Sequence, residues 1–123
     1  MTNSGEKTYD LHERTFQFAK KCRELIRTIP KSLENREDGK QLVRSSGSVA
    51  ANYIEANESI SKKDFLFRVK ICRKEAKESH LWLKLIVQEE QSHSFELQQK
   101  LVQEALELAK IFGSIVNKAS NNP

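Results

Sequence analysis

Lys63, Lys70, Lys77 and Lys84 recur every seven residues, with Arg73 and Lys74 between them. On a helix, a period of seven keeps side chains on one slowly drifting stripe. From Lys62 to Lys84 there are eight basic and three acidic residues, a net +5, whereas the whole chain carries +4. A linear track of cations suits a phosphate backbone. A solvated face that keeps a protein soluble gives the same pattern. Lys20, Arg23 and Arg27, in an earlier segment, are candidates to widen the patch. No aromatic interleaving suggests base stacking, so the expected binding is to backbone and not to sequence.

Other chemistries have weaker support. Helical bundles can house di-iron sites built from Glu residues and two Glu-x-x-His pairs. The chain has one such spacing, Glu90-Gln91-Ser92-His93, and it falls in an expected loop. His12 and His80 lack a suitable Glu, so no metal or other cofactor is expected. Cys72 and His80 could form a nucleophilic dyad, but Cys72 falls on an apolar seam where burial quiets a thiol. No Gly-rich phosphate loop or nucleophile elbow is present. The chain reads as a binding protein and not an enzyme.

A last polar group comprises Arg44, Asn52, Glu55, Glu75 and Glu78. All five flank apolar seams. If those seams meet, Arg44 or Asn52 would satisfy carboxylates at a helix–helix or subunit contact. Simple exposure explains them equally well.

Four periodic segments must position these residues. The first, from about Leu11 to Thr28, places Leu11, Thr15, Phe18, Cys22, Leu25 and Ile29 on one face. Asp10 is its expected N-cap, with Glu13 completing a capping box, and Pro30 stops it. The second, from about Glu37 to Glu58, repeats the step through Leu42, Ser46, Val49, Tyr53, Ala56 and Ile60. Its middle, Ser45 to Ala51, is unusually small, which suits close approach of a neighbouring helix. The third, from about Lys62 to Gln88, is capped by Ser61 with Asp64. Its seam runs through Phe65, Val69, Cys72, Ala76, Ser79, Leu83 and Ile86, and Phe67, Ile71, Leu81, Trp82 and Leu85 form a second apolar surface. The fourth, from about Ser94 to Asn117, carries one stripe through Leu97, Leu101, Leu108, Ile111 and Ile115. Another runs through Val102, Ala105, Ala109, Phe112 and Val116. A helix with two apolar faces sits centrally or meets another subunit. Links of about eight, three and five residues force antiparallel neighbours. The expected fold is therefore all-α, an up-down-up-down four-helix bundle.

Composition agrees. The 123 residues suit one domain, 1–123, with an ordered core of about 10–118 and frayed ends at Met1–Tyr9 and Ala119–Pro123. Apolar residues make up 37% and charged residues 31%, and only four Gly and two Pro interrupt the chain. No run approaches the roughly 18 apolar residues of a membrane span. Met1 to Lys7 lacks a signal core, so a cytoplasmic location without membrane contact is expected. Cys22 and Cys72 read as reduced core thiols.

Three blocks carry a resemblance. They are Arg44-Ser45-Ser46-Gly47-Ser48-Val49-Ala50-Ala51-Asn52-Tyr53-Ile54-Glu55-Ala56, then Lys62-Lys63-Asp64-Phe65, then Glu75-Ala76-Lys77-Glu78-Ser79 followed by Trp82-Leu83. With Glu13-Arg14-Thr15-Phe16, the chain from about Leu11 to Leu85 resembles the bacterial four-helix-bundle proteins encoded in 23S rRNA intervening sequences. The fourth segment matches in apolar pattern only. The resemblance implies a ring, typically a homopentamer. The similar accessory variability determinant proteins of diversity-generating retroelements are basic pentamers that engage nucleic acid and a reverse transcriptase. Arg44, Asn52, Tyr53, Glu55, Glu75, Glu78 and Trp82 match the motif positions and are carried over as structural or interface candidates. Two functions follow as expectations. One is backbone binding to RNA or DNA by an oligomer through Lys63, Lys70, Arg73, Lys74, Lys77 and Lys84. The other is an adaptor that binds a partner protein. A metal-binding bundle is the third alternative.

Overall fold

The structure, a computed structural model, describes residues 10–121. It contains four helices, α1 (Leu11–Thr28), α2 (Leu33–Asn57), α3 (Lys62–Leu85) and α4 (Phe95–Asn121). Each packs on its neighbours in the chain, and α1 also touches α4, most sparingly of all the pairs. Among the described residues the backbones of the diagonal pairs, α1 with α3 and α2 with α4, do not approach closely, and Tyr53 of α2 reaches Phe112 of α4 only through its ring. That is the expected antiparallel four-helix bundle. Among the described residues, no helix is long and apolar enough to cross a membrane.

Local chemistry sets the helix starts. The Asp10 carboxylate accepts from the Glu13 amide at 3.1 Å. The other half of the capping box is missing, because the Glu13 carboxylate accepts from Gln17 Nε2 at 2.8 Å instead. Ser61 caps α3 as expected, accepting from the Asp64 amide at 3.0 Å. α2 begins at Leu33 and not near Glu37, because Ser32 caps it by accepting from the Asn35 amide at 3.1 Å. The α1–α2 link is therefore only residues 29–32. At its other end α2 stops at Asn57, so Ile60 leaves the expected seam and is 96% exposed in the link.

α3 also departs from expectation, ending at Leu85 and not Gln88. Buried Gln98 explains the stop. Its Nε2 donates to the carbonyls of Leu83 at 2.8 Å and Ile86 at 2.9 Å, groups left unpaired at a helix C-terminus. Asn35 then takes both backbone groups of Val87, donating to its carbonyl at 2.9 Å and accepting from its amide at 3.0 Å. Asn35 also donates to the Pro30 carbonyl at 3.1 Å. One buried amide thus ties the first link to the start of the third, which spans residues 86–94 and exceeds the expected five. Ala119, Ser120 and Asn121, expected to fray, continue α4. The expectation for Met1–Tyr9 lies outside the described residues.

The core lies along the predicted seams. Phe18, Leu25, Leu42, Val49, Val69, Leu83, Leu108 and Phe112 are fully buried among them. The second stripe of α4 is absorbed within the chain, with Ala105, Ala109, Phe112 and Val116 buried. That of α3 is not, since Phe67, Leu81 and Leu85 remain exposed. The small segment of α2 stays helical and lets its neighbours in. Ser45 Oγ and Ser79 Oγ share a buried hydrogen bond of 2.7 Å across α2 and α3. On the α1 side, a Cβ added at Gly47 would lie 3.1 Å from Arg23 Nη2.

Asn35→Ala removes the clamp on both links and is expected to cost about 1–3 kcal/mol of stability, measured by urea unfolding. A loss below about 0.5 kcal/mol would mean that water replaces the amide and that the clamp contributes nothing.

Candidate nucleic-acid interface

The seven-residue spacing drifts by about 20° per heptad on a straight helix. Lys63 and Lys70 therefore stand on the outward ridge of α3, and Lys77 and Lys84 turn toward α4. Lys63, Lys70, Lys74, Lys77 and Lys84 are exposed and Arg73 is half-buried. None of the six makes an ion pair or hydrogen bond among the described residues. Phe67, 58% exposed, stands among these lysines. The expected absence of aromatic interleaving is therefore corrected, since Phe67 lies four residues after Lys63 and three before Lys70 and is exposed on the same face. The Arg68 guanidinium sits 5.7 Å from the ring centroid.

The carboxylates of α3 face the other way. Glu75 is 5% exposed and turned toward α2, where Arg44 Nη2 donates to its Oε1 at 3.1 Å and Nη1 to its Oε2 at 3.4 Å. Arg44 Nη2 also donates to Glu78 Oε1 at 3.1 Å. The hydrogen bond to Glu75, more than the charge of Glu78, raises the Arg44 pKa above its ordinary value. A nearly buried carboxylate needs such a partner. Asn52 does not serve a carboxylate. It donates to the Ser48 carbonyl at 2.9 Å and accepts from Arg68 at 3.1 Å.

The remaining motif residues lie apart from this cluster. The Tyr53 ring packs between His12, at 4.7 Å, and Phe112, at 5.9 Å. Glu55 is exposed. Trp82 packs against the core with its indole Nε1 buried and without a hydrogen-bond partner among the described residues.

The first helix does not widen the patch. α1 is diagonal to α3, and Arg23 is drawn into the α1–α2 seam, where it donates to the carbonyls of Ala19 at 3.1 Å and Val43 at 3.2 Å. Lys20 and Arg27 are exposed across the bundle. The cation that does join the patch is Lys110 of α4, which lines a groove of about 450 Å³ with Arg73, Lys77, His80, Leu106 and Ala109. Sequence periodicity gave no sign of this, because it relates residues within a helix and not across two. Burial, and then the charge of Lys84, lowers the His80 pKa below its ordinary value.

Other chemistry finds no support in the geometry. Among the described residues, no group of three or more His, Cys, Asp or Glu is placed to hold a metal ion. Glu90 and His93 are exposed in the last link. Cys22 and Cys72 are fully buried, and burial pushes both thiols up to about 12. Cys72 Sγ donates to the Val49 carbonyl at 3.6 Å and is not directed at His80.

Comparison with known proteins adds a family and a neighbour. The model of a family described as 23S rRNA-intervening sequence protein matches residues 7–114. The chain is also similar to a crystal structure from Bacteroides thetaiotaomicron VPI-5482, a protein of unknown function from the S23 ribosomal protein family. Identity is 28% and the TM-score 0.69, over 85% of this chain and 96% of that one. No curated protein matches.

Arg44→Ala, which leaves Glu75 unpaired, is expected to destabilise by about 1–3 kcal/mol. In a double-mutant cycle with Glu75→Ala, coupling should exceed about 0.5 kcal/mol, and strict additivity would show that the pair contributes nothing. Both thiols should resist a disulfide reagent at pH 8 in the native protein and react in urea. Rapid native labelling would contradict their burial.

Proposed function

The chain belongs to the 23S rRNA-intervening sequence protein family, and on that footing we propose that it is a non-enzymatic, self-assembling cytoplasmic protein that binds the backbone of RNA or DNA. One observation carries this reading. The acids Glu75 and Glu78 are tied to Arg44 on the α2 side, and Lys63, Lys70, Arg73, Lys74, Lys77 and Lys84 stand on the opposite side of α3 without acidic partners among the described residues. The net charge of the helix is thereby sorted onto one surface. Unpaired cations release the counterions of a polyanion, the main source of affinity in backbone binding. Phe67 adds a ring on which an unpaired base can stack.

Self-assembly, as the homopentamer that the family resemblance implies, is supported by apolar side chains left uncovered within the chain. Phe16 is 53% exposed and Ile54 55% exposed. A second reading, an adaptor for another protein, is favoured by Leu81 and Leu85, each 45% exposed among the lysines.

The test is retention on a structured RNA at low and high salt, alongside light scattering. Lys70→Glu with Lys77→Glu and Lys84→Glu should abolish RNA binding and leave helicity intact. In the unaltered protein, affinity should fall with salt at a logarithmic slope of about −0.7 to −0.9 per phosphate neutralised. Undiminished binding by the triple variant would remove the stripe from the interface. Salt-insensitive, weak binding beside a stable protein complex would favour the adaptor.

A further inference from the structure

The four half-buried arginines are Arg14, Arg23, Arg68 and Arg73. Arg14 donates to Glu104 Oε2 at 2.7 Å and to Glu107 Oε1 at 2.9 Å. Arg23 is held by backbone carbonyls, and Arg68 by Asn52. Arg73 alone of these four has no acceptor among the described residues. A guanidinium carries five donors and cannot lose its proton to escape partial burial. Its position is also supported, because a Cβ built at Gly113 of α4 would lie 3.6 Å from Arg73 Cδ. The Arg73 stem therefore lies along α4, beside Lys110.

The groove it enters is lined by Arg73, Lys77, Lys110, His80, Leu106 and Ala109, and by no carboxylate. Its volume, about 450 Å³, is on the scale of small-ligand sites. Leu106 and Ala109 make one wall apolar, which strengthens each charge interaction inside. Three basic side chains, Arg73, Lys77 and Lys110, outnumber the single negative charge of an internal phosphodiester. They suit a phosphomonoester, which carries about −1.5 to −2 near neutrality. Arg73 can bind two of its oxygens at once. His80 lines the same groove and can add an N–H donor.

We propose that the α3–α4 groove binds a phosphomonoester dianion through Arg73, Lys77 and Lys110, and that its source is the terminal phosphate of a nucleic-acid strand. This deepens the backbone-binding reading and rests on it. Internal phosphates follow Lys63, Lys70 and Lys74 along the ridge, and the strand ends in the groove.

The experiment compares one short, internally labelled single-stranded RNA in three forms, with a 5′-phosphate, with a 3′-phosphate and with neither. It uses the full chain, Arg73→Gln/Lys110→Gln, and Lys63→Gln/Lys70→Gln, with helicity checked by circular dichroism. In parallel, His80 ring resonances are titrated with inorganic phosphate and uridine monophosphate. A phosphorylated end should bind about tenfold more tightly than none, the scale of one charge-assisted contact. That ratio should fall to one in the groove variant and persist in the ridge variant. Equal binding of all three strands, still steep in salt, would overturn the groove site and leave the backbone reading standing. A preference that survives in the groove variant would overturn the assignment to Arg73 and Lys110. If no strand binds but the small phosphates shift His80 in the full chain and not in the groove variant, the groove stands as a phosphomonoester site and the nucleic-acid source falls.

Discussion

Where α2 and α3 meet, side chains are small enough for groups on one helix to reach across to the other. Ser45 and Ser79 share a buried hydrogen bond of 2.7 Å, and Cys72 Sγ approaches the Val49 carbonyl at 3.6 Å. Larger residues at these positions would push the helices apart and leave those polar atoms without partners, a cost of about 1–3 kcal/mol each. Once the seam is this close, the rotation of α3 about its axis is fixed. Glu75 must then face α2, and Arg44 at the seam's edge neutralises it. Lys63, Lys70 and Lys74 are then left on the outer ridge, and Lys77 beside α4.

That rotation links stability to electrostatics. A helix with eight basic and three acidic residues could have paired its charges internally along its own surface. Here two of the three acids, Glu75 and Glu78, are taken up at the α2 seam instead. Arg44 is the counter-charge brought from another helix, so Glu75 and Glu78 are held by it and not by the α3 lysines. The Arg14 pair with Glu104 and Glu107 does a related job between α1 and α4, where packing is sparse and a groove of about 770 Å³ remains open. Arg14 and Arg44 are therefore each neutralised by carboxylates of a neighbouring helix. The groove between α3 and α4 has Arg73 unneutralised among the described residues.

The shape of the α3–α4 groove depends on helix ends far from it. Gln98 and Asn35 stop α3 early and direct residues 86–88 away from the helix axis. α4 then starts at Phe95 and runs back along α3, bringing Lys110 opposite Arg73 and Lys77. Gln88 reinforces the turn, its Oε1 accepting from Ser92 Oγ at 2.6 Å and from Ser94 Oγ at 2.8 Å. These polar groups do not line the basic groove, yet they set which α4 residues meet the basic stripe.

Much of this was legible in the sequence. Apolar periodicity located four helices, their seams and both buried cysteines, because burial on one helical face imposes a period of 3.6 whatever the partner. Asp10 and Ser61 marked two starts, since a cap acts within three residues. The heptad of lysines was legible for the same local reason. The cap at Ser32 and the end of α3 three residues before Gln88 were not legible, the latter because it is set by the amides of Gln98 and Asn35, 13 and 50 residues distant from Leu85. The pairing of Arg44 with Glu75 was one of two readings that spacing allowed, and the capture of Arg23 by α2 was not visible at all. Tertiary structure alone decided which charges were neutralised and which were left unpaired, and that Lys110 and His80 share a groove with Arg73. Sequence periodicity fixes the face of a helix on which a residue lies. Only packing fixes what that face meets.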